Sequence, residues 1–193
     1  MPVFATAPLT LLLALLLVAA PVEVANAAGG DGIEGYASYE PQTTCHPKPR
    51  PGTKVLGAWL VKRLGGGGGA TGRACGGGAS EHKDGRAIDW TLDAGTKSGR
   101  VAARKFLARI LKTDKAGREH AKARRMGIMY VIWKDRVYSA WDRFEPKPYL
   151  SSSCPNRKKC SKTLRHRDHM HISLSMAGAK GRTSWYERRL SRN

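Results

Sequence analysis

The segment from His169 to Leu174 constrains the fold most, because polar and apolar side chains alternate along it. Successive side chains of a β-strand point to opposite faces of its sheet. The alternation therefore predicts a strand over about residues 169–175, with one face in the core. The two faces would carry Met170, Ile172 and Leu174 on the core side, and His169, His171 and Ser173 on the other.

Two imidazoles on one face of a strand can sit at one metal ion when a third ligand comes from elsewhere. Candidates for the further metal ligands lie just before and within a second alternating stretch, residues 86–92, which we also expect to be a strand. His82 precedes this stretch, and Asp89 lies inside it with its side chain opposed to apolar neighbours. A turn at Asp84-Gly85 would fold His82 back over Asp89, and Gly85 suits a backbone conformation that a Cβ disfavours.

These residues also carry a resemblance to a known family. At every fixed position the chain matches the motif SxHxxGxAxD, and residues 168–171 supply a second motif, an acid, two further residues and then the histidine expected to bind the metal. Both motifs resemble those of zinc D-alanyl-D-alanine carboxypeptidases and L,D-endopeptidases of the LAS group (lysostaphin, D-Ala-D-Ala peptidase, Sonic hedgehog). The wider stretch, about residues 55–185, resembles a secreted actinobacterial family that carries this domain. The first motif consists of Ser80, His82, Gly85, Ala87 and Asp89.

The resemblance implies specific roles for five residues. His82, Asp89 and His171 would be the ligands of Zn²⁺, with a fourth position left for water. Asp168 would be the general base, and His169 is the alternative for that role or for stabilising the oxyanion. Strict alternation places Asp168 and His171 on opposite faces, so Asp168 must lie in the turn before the strand to act. The implied activity is hydrolysis of peptide bonds in peptidoglycan stems or crossbridges.

The family also uses an arginine upstream of the first metal ligand to hold its substrate. Arg73 is the candidate here, because it lies in the loop that leads to His82. The alternative is a solvated cation with no such role. Outside the two motifs, His46 and His120 are expected to be structural or exposed, and His166 is expected to contact a metal ligand or the solvent.

The first 27 residues read as an export signal. An apolar stretch ends near Ala20, and the small-residue sequence Ala25-Asn26-Ala27 follows it. The stretch is short for a membrane span, which favours cleavage after Ala27 over an uncleaved anchor. We therefore expect a secreted, cell-wall-associated protein that is not held in a membrane after cleavage.

Four cysteines lie after the leader, and an even number in an exported chain predicts disulfides. We expect Cys45–Cys75, which would attach an N-terminal arm, and Cys154–Cys160, which would close a Lys-rich loop. The competing interpretation is a zinc knuckle that uses the second cysteine pair with His166 and His169. No CxxC pair is present to support the knuckle.

The net charge of +19 is the strongest compositional signal. The leader contains one acid, Glu23, and no base, so cleavage leaves 34 basic and 14 acidic residues, or +20. Such a chain attracts polyanions with little specificity. In an exported protein this favours anionic cell-wall polymers over any specific nucleic acid. Two rival functions remain: a non-catalytic, zinc-containing wall-binding module and a secreted nuclease.

The rest of the chain predicts an α+β domain with a mainly antiparallel sheet, as in the Hedgehog and D-Ala-D-Ala peptidase fold. The expected organisation is a leader (1–27), a flexible arm (28–53), the metallopeptidase-like domain (54–186) and a basic tail (187–193). Helices are expected over 54–64, from a Ser98 cap to about 112, over about 116–126, and in the tail from 183. A hairpin is expected over 128–141, and a flexible glycine loop over 65–69.

Overall fold

A computed structural model of the chain describes Met1 and residues 32–191. The predicted leader, apart from Met1, therefore lies outside the described residues. The described part is an α+β domain, which confirms the predicted class. No helix in it is both long and apolar enough to cross a lipid bilayer.

One five-stranded sheet organises the domain, with the strand order β1-β5-β2-β3-β4 and every pairing antiparallel. The strands are Ala87–Thr91 (β1), Ile128–Trp133 (β2), Arg136–Ser139 (β3), Pro146–Pro148 (β4) and His169–Leu174 (β5). The helices are Pro51–Leu64 (α1), Lys97–Ile110 (α2), Ala121–Arg125 (α3), Met176–Ala179 (α4) and Ser184–Leu190 (α5). Two 3₁₀ helices lie at Glu81–Asp84 and Ala140–Asp142.

The two faces of the sheet differ in character, as the alternation predicts. On the core face, side chains of β1, β2 and β5 pack against α1, α2, α3 and α5 in one apolar cluster. The opposite face carries Asp89, Tyr130 and the polar side chains of β5. The fully or almost fully buried core residues of the central strands are Ile88, Trp90, Ile128, Met129, Val131, Met170, Ile172 and Leu174.

Several helix boundaries differ from those expected. α2 begins at Lys97, because the hydroxyl of Thr96, and not that of Ser98, accepts a hydrogen bond from the Gly99 N–H at 3.1 Å. The helix expected over 116–126 is reduced to α3. Asp114 is the reason, because its carboxylate accepts from the backbone N–H groups of residues 116 and 118 and turns the chain before the helix starts.

Residues 32–50 have little regular structure but pack against the domain. Thr44 donates to the Asp84 carboxylate at 2.8 Å, and Arg50 Nε donates to the Asp84 carbonyl at 2.7 Å. These bonds brace the turn before β1. The segment that the sequence suggests as a flexible arm over 28–53 is thus a support in its described part, and its last three residues belong to α1.

Both predicted disulfides are present. Cys45 is bonded to Cys75 and Cys154 to Cys160. The bond between the second pair rules out the cysteine zinc knuckle, because disulfide sulfurs are not thiolate ligands. Two disulfides are typical of exported proteins.

The run Gly65–Gly69 ends α1 as expected but is not a free loop. Gly67 and Thr91 exchange backbone hydrogen bonds of 3.0 and 3.1 Å, and the Asp89 N–H donates to the Ala70 carbonyl at 2.8 Å. A Cβ on Gly69 would lie 1.5 Å from the Asp89 carbonyl oxygen. The chain can therefore approach β1 this closely only without side chains.

Gly85 offers a direct test of how the turn before β1 is built. Its φ is +68°, and an added Cβ would lie 2.2 Å from the Lys48 carbonyl oxygen. We expect Gly85→Ala to lower the free energy of unfolding by at least about 2 kcal/mol, because backbone strain and a backbone clash add. Urea unfolding followed by circular dichroism measures this.

Gly117→Ala is the matched control, because Gly117 has a φ of +77° but open space around it. That variant should lose only about 1 kcal/mol, the cost of the strained backbone alone. Equal losses in the two variants would show that the close contact with residue 48 has no energetic weight.

Candidate metal centre

Three side chains from three elements converge on the polar face of the sheet. His82 comes from the first 3₁₀ helix, Asp89 from β1 and His171 from β5. His82 Nε2 lies 3.1 Å from Asp89 Oδ1 and 3.3 Å from His171 Nδ1, and the third distance, His171 Nδ1 to Asp89 Oδ1, is 2.9 Å. The chain thus brings together the three residues expected as ligands.

Local structure explains the convergence. In the antiparallel pair of β1 and β5, Asp89 stands directly opposite His171. The turn that ends in Gly85, with its left-handed backbone, returns His82 to the same place. The Cys45–Cys75 disulfide and the backbone hydrogen bond from His46 N–H to the Lys83 carbonyl hold the outer side of this turn.

The geometry of the three donor atoms fits a small divalent metal ion. Ligands placed tetrahedrally at about 2.0–2.1 Å from an ion lie about 3.3 Å from one another, close to the three separations found here. The atoms that converge are two imidazole nitrogens and one carboxylate oxygen, which is the donor set of a borderline metal. His82 and His171 are buried, so the ion would be held largely away from solvent.

The surroundings prepare the ligands for a cation. Burial, the largest effect, lowers the pKa of His171, so that its ring is neutral at physiological pH. Burial by itself would raise the pKa of Asp89, but hydrogen bonds and charges from His171 and His82 outweigh it and lower the pKa. The carboxylate is therefore ionised and the His171 imidazole unprotonated, as metal binding requires.

A hydrogen bond sets the orientation of the His171 ring. Its Nε2 lies 2.9 Å from the Ser173 hydroxyl, two residues along the same strand, which leaves Nδ1 directed at Asp89. Tyr130 of β2 stacks on the ring, with centroids 5.5 Å apart and planes 20° apart. A hydrogen bond to the second ring nitrogen, as Ser173 makes here, typically fixes the tautomer of a metal-binding histidine.

His169 and Asp168 form a pair beside the three candidate ligands. Asp168 lies in the bend just before β5, as alternation requires, and its carboxylate contacts His169 Nδ1 at 2.7 Å and the Thr163 hydroxyl. The other ring nitrogen, His169 Nε2, lies 3.6 Å from Asp89 Oδ1. His169 therefore stands between Asp168 and the metal position.

Two further rings line the site. The sequence leaves His166 with either a role beside the ligands or a solvent role, and its ring centroid lies 4.8 Å from that of His169 and 5.8 Å from that of His171. Burial, with the charges of His171 and His169, lowers the pKa of His166 to about 3. Tyr130 was overlooked, although its place between the core residues 129 and 131 would have put it on the polar face.

A row of aromatic rings continues outward from the site. Tyr130 contacts Trp141 edge to face at 6.2 Å, and Trp141 contacts Tyr39 at 5.7 Å. Trp141 and Tyr39 are about half exposed. Arg73, the candidate for substrate binding, is exposed in the loop near Cys75, and no contact among the described residues joins it to the three candidate ligands.

Comparison with known families adds one finding. The family model described as VldE, C-terminal domain, matches residues 45–157, more than half of the chain. The chain belongs to the VldE C-terminal domain family. The region matched by the VldE model contains His82 and Asp89 but ends before Asp168, His169 and His171. Searches among curated proteins and solved structures found no significant match.

The arrangement predicts that a divalent metal ion binds at these three residues, and Zn²⁺ is the ion used to test this. Removal of one of three ligands by His171→Ala should weaken zinc binding by more than about 100-fold, because loss of an outer-sphere contact alone costs 10–100-fold. Ser173→Ala, which removes only such a contact, should fall within about 10–100-fold. Competition with a chromophoric chelator measures both affinities.

His46→Ala serves as the control, because the His46 ring is exposed and its hydrogen bond within residues 32–191 is to the nearby Lys48 carbonyl. Its zinc affinity should equal that of the unaltered protein. Retention of full affinity by His171→Ala would disprove the ligand assignment.

Proposed function

We propose that this protein is a secreted zinc peptidase that hydrolyses peptide bonds in peptidoglycan stems or crossbridges. The observation that carries the proposal is the convergence of His82, Asp89 and His171, with the ring of His169 beside them. Three protein ligands with a free fourth position are the pattern of catalytic zinc, whereas structural zinc has four protein ligands. Zinc in such a site supplies an activated water and polarises the carbonyl of the scissile bond.

In this proposal, His169 moves the proton. Its Nδ1 faces the Asp168 carboxylate, so Nδ1 carries the hydrogen and Nε2 presents its lone pair to the site. Nε2 can then take a proton from the attacking water and return it to the leaving amine. The resemblance gave Asp168 this role, with His169 as the alternative; the 3.6 Å separation of His169 Nε2 from Asp89 favours His169.

Asp168 then acts as a positioning residue. Burial by itself would raise the pKa of its carboxyl, but hydrogen bonds from Thr163 and His169 outweigh this and lower the pKa. An ionised carboxylate on Nδ1 holds the imidazole in the tautomer that exposes the Nε2 lone pair, and it stabilises the imidazolium that forms after proton transfer. The Thr163 hydroxyl donates a hydrogen bond to the second oxygen of this carboxylate.

Peptidoglycan as the substrate is supported by sequence features outside the metal centre. The motif SxHxxGxAxD resembles that of cell-wall peptidases, the predicted leader would export the chain, and the charge of +19 would concentrate it on an anionic wall. The row of rings from Tyr130 to Tyr39 offers a half-exposed aromatic surface against which a substrate can pack. Zn²⁺ is the proposed cofactor.

The test is digestion of purified peptidoglycan by the zinc-loaded mature protein, with mass spectrometry of the released muropeptides. His169→Ala should lower the rate by about 10²–10⁴-fold, the usual contribution of a general base, while zinc stays bound. Asp168→Asn should lower it less and change its pH profile, because the carboxylate acts only through the imidazole. His46→Ala should leave the rate unchanged.

The competing function is a zinc-containing, wall-binding module without turnover, which the high positive charge favours. It predicts no new muropeptides but undiminished binding of the protein to sacculi. If the zinc-loaded protein, His169→Ala and Asp168→Asn all sediment with sacculi and none releases a peptide, the peptidase proposal is wrong.

A further inference from the structure

A cavity of about 290 Å³ lies among the helices, carried by none of the elements that supply the candidate metal ligands. It is formed by the end of α2, the loop after it, α3 and α5. Five basic side chains line it, together with the ring of Trp185. The basic residues are Arg109, Lys112, Lys115, Lys122 and Arg125.

The positive charge of this basic cavity is poorly balanced. Asp114 is the one carboxylate in its lining, and Asp114 already contacts Arg118 at 2.8 Å and Arg125 at 3.8 Å. Within residues 32–191, no carboxylate pairs with Lys112, Lys115 or Lys122. The cavity thus concentrates cations that lack counterions from the described protein.

The mutual repulsion of these cations affects the half-buried Lys122 most clearly. Burial lowers the pKa of Lys122, and repulsion from Arg109 and Arg189 lowers it further. Cations that are held together against their repulsion create a strong local potential, and an anion that enters is stabilised by all of them. Arginine and lysine are the side chains that proteins use for phosphate groups.

The aromatic ring in the cavity helps to define the ligand. Trp185 is only 7% exposed, because Trp59 contacts it edge to face at 5.6 Å and the Arg189 guanidinium lies 3.9 Å above it. Binding of single-stranded nucleic acid relies on exposed rings on which bases stack. This cavity offers cations without such a ring, so it favours a phosphate polymer that has no bases.

We propose that the basic cavity binds a poly(phosphodiester) without bases, of the poly(glycerol phosphate) type. The volume exceeds the space of a single phosphate group and approaches the lower range of pockets for larger ligands. This site requires neither zinc nor turnover, so it stands apart from the proposed peptidase function. It would hold the protein on an anionic polymer while the opposite face of the sheet remains free.

The test is titration calorimetry of the full mature protein with synthetic poly(glycerol phosphate), at low and at moderate salt. The double variant Lys112→Gln/Lys122→Gln should bind at least about tenfold more weakly at low salt. Its salt dependence, the slope of log K against log salt, should fall by about 2, one for each lost phosphate contact.

The matched control is Lys158→Gln/Lys159→Gln, which removes the same charge from the exposed loop between Cys154 and Cys160. It should bind within about twofold of the unaltered protein, since the polymer is held in the cavity. Equal weakening by both doubles would overturn the proposal, because binding would then follow net charge alone. Lys112→Gln/Lys115→Gln, with both residues exposed, replaces the first double if the Lys122 change impairs folding.

A single-stranded DNA with the same number of phosphates separates the two polymer classes. We expect it to bind no more tightly than poly(glycerol phosphate). Tenfold tighter DNA binding that is lost in the cavity double would overturn the proposal in favour of a nucleic-acid site. Zinc-free protein should give the same affinities, so a failed peptidase assay and a failed binding assay remain distinguishable.

Discussion

The pairing register of β1 with β5 is the constraint on which the candidate site depends. It sets Asp89 opposite His171 on one face while Ile88 and Ile172 are buried as a pair on the other. Burial of a large apolar side chain contributes about 1.5–3 kcal/mol, and a slip of one residue would exchange the faces of the whole strand. The hydrophobic core therefore enforces the geometry of the ligands that lie behind it.

The third ligand depends on a different kind of interaction. The turn that carries His82 is held by Arg86, whose fully buried guanidinium contacts the Asp84 carboxylate at 3.2 Å and donates to the Glu40 and Leu174 carbonyls. Removal of one partner of such a buried pair typically costs 3–5 kcal/mol. The N-terminal segment, β1 and β5 thus meet at one arginine, and the position of His82 follows from all three.

Sequence alone predicted what depends on local pattern. Alternation gave the faces of β5, and the glycine at residue 85 gave the turn over Asp89. The even cysteine count predicted disulfides, and the segments that each bond would close favoured the pairing found. What it missed depends on individual side-chain contacts. Thr163 holds the Asp168 carboxylate by a hydrogen bond, and the Asp114 carboxylate forms the turn that shortens α3. Alternation predicts the face on which Tyr130 lies, but not its stacking on His171 of another strand.

The close fit of the glycine run on β1 has a consequence for the outer rims of the sheet. Residues 67–70 form backbone hydrogen bonds with β1, the strand at one edge of the sheet. The strand at the other edge, β4, contains Pro146 and Pro148, which have no N–H to donate. Both rims therefore offer few free backbone donors to another chain. Edge-to-edge pairing with another sheet is therefore disfavoured at β1 because the glycine run covers its backbone, and at β4 because its two prolines lack an N–H.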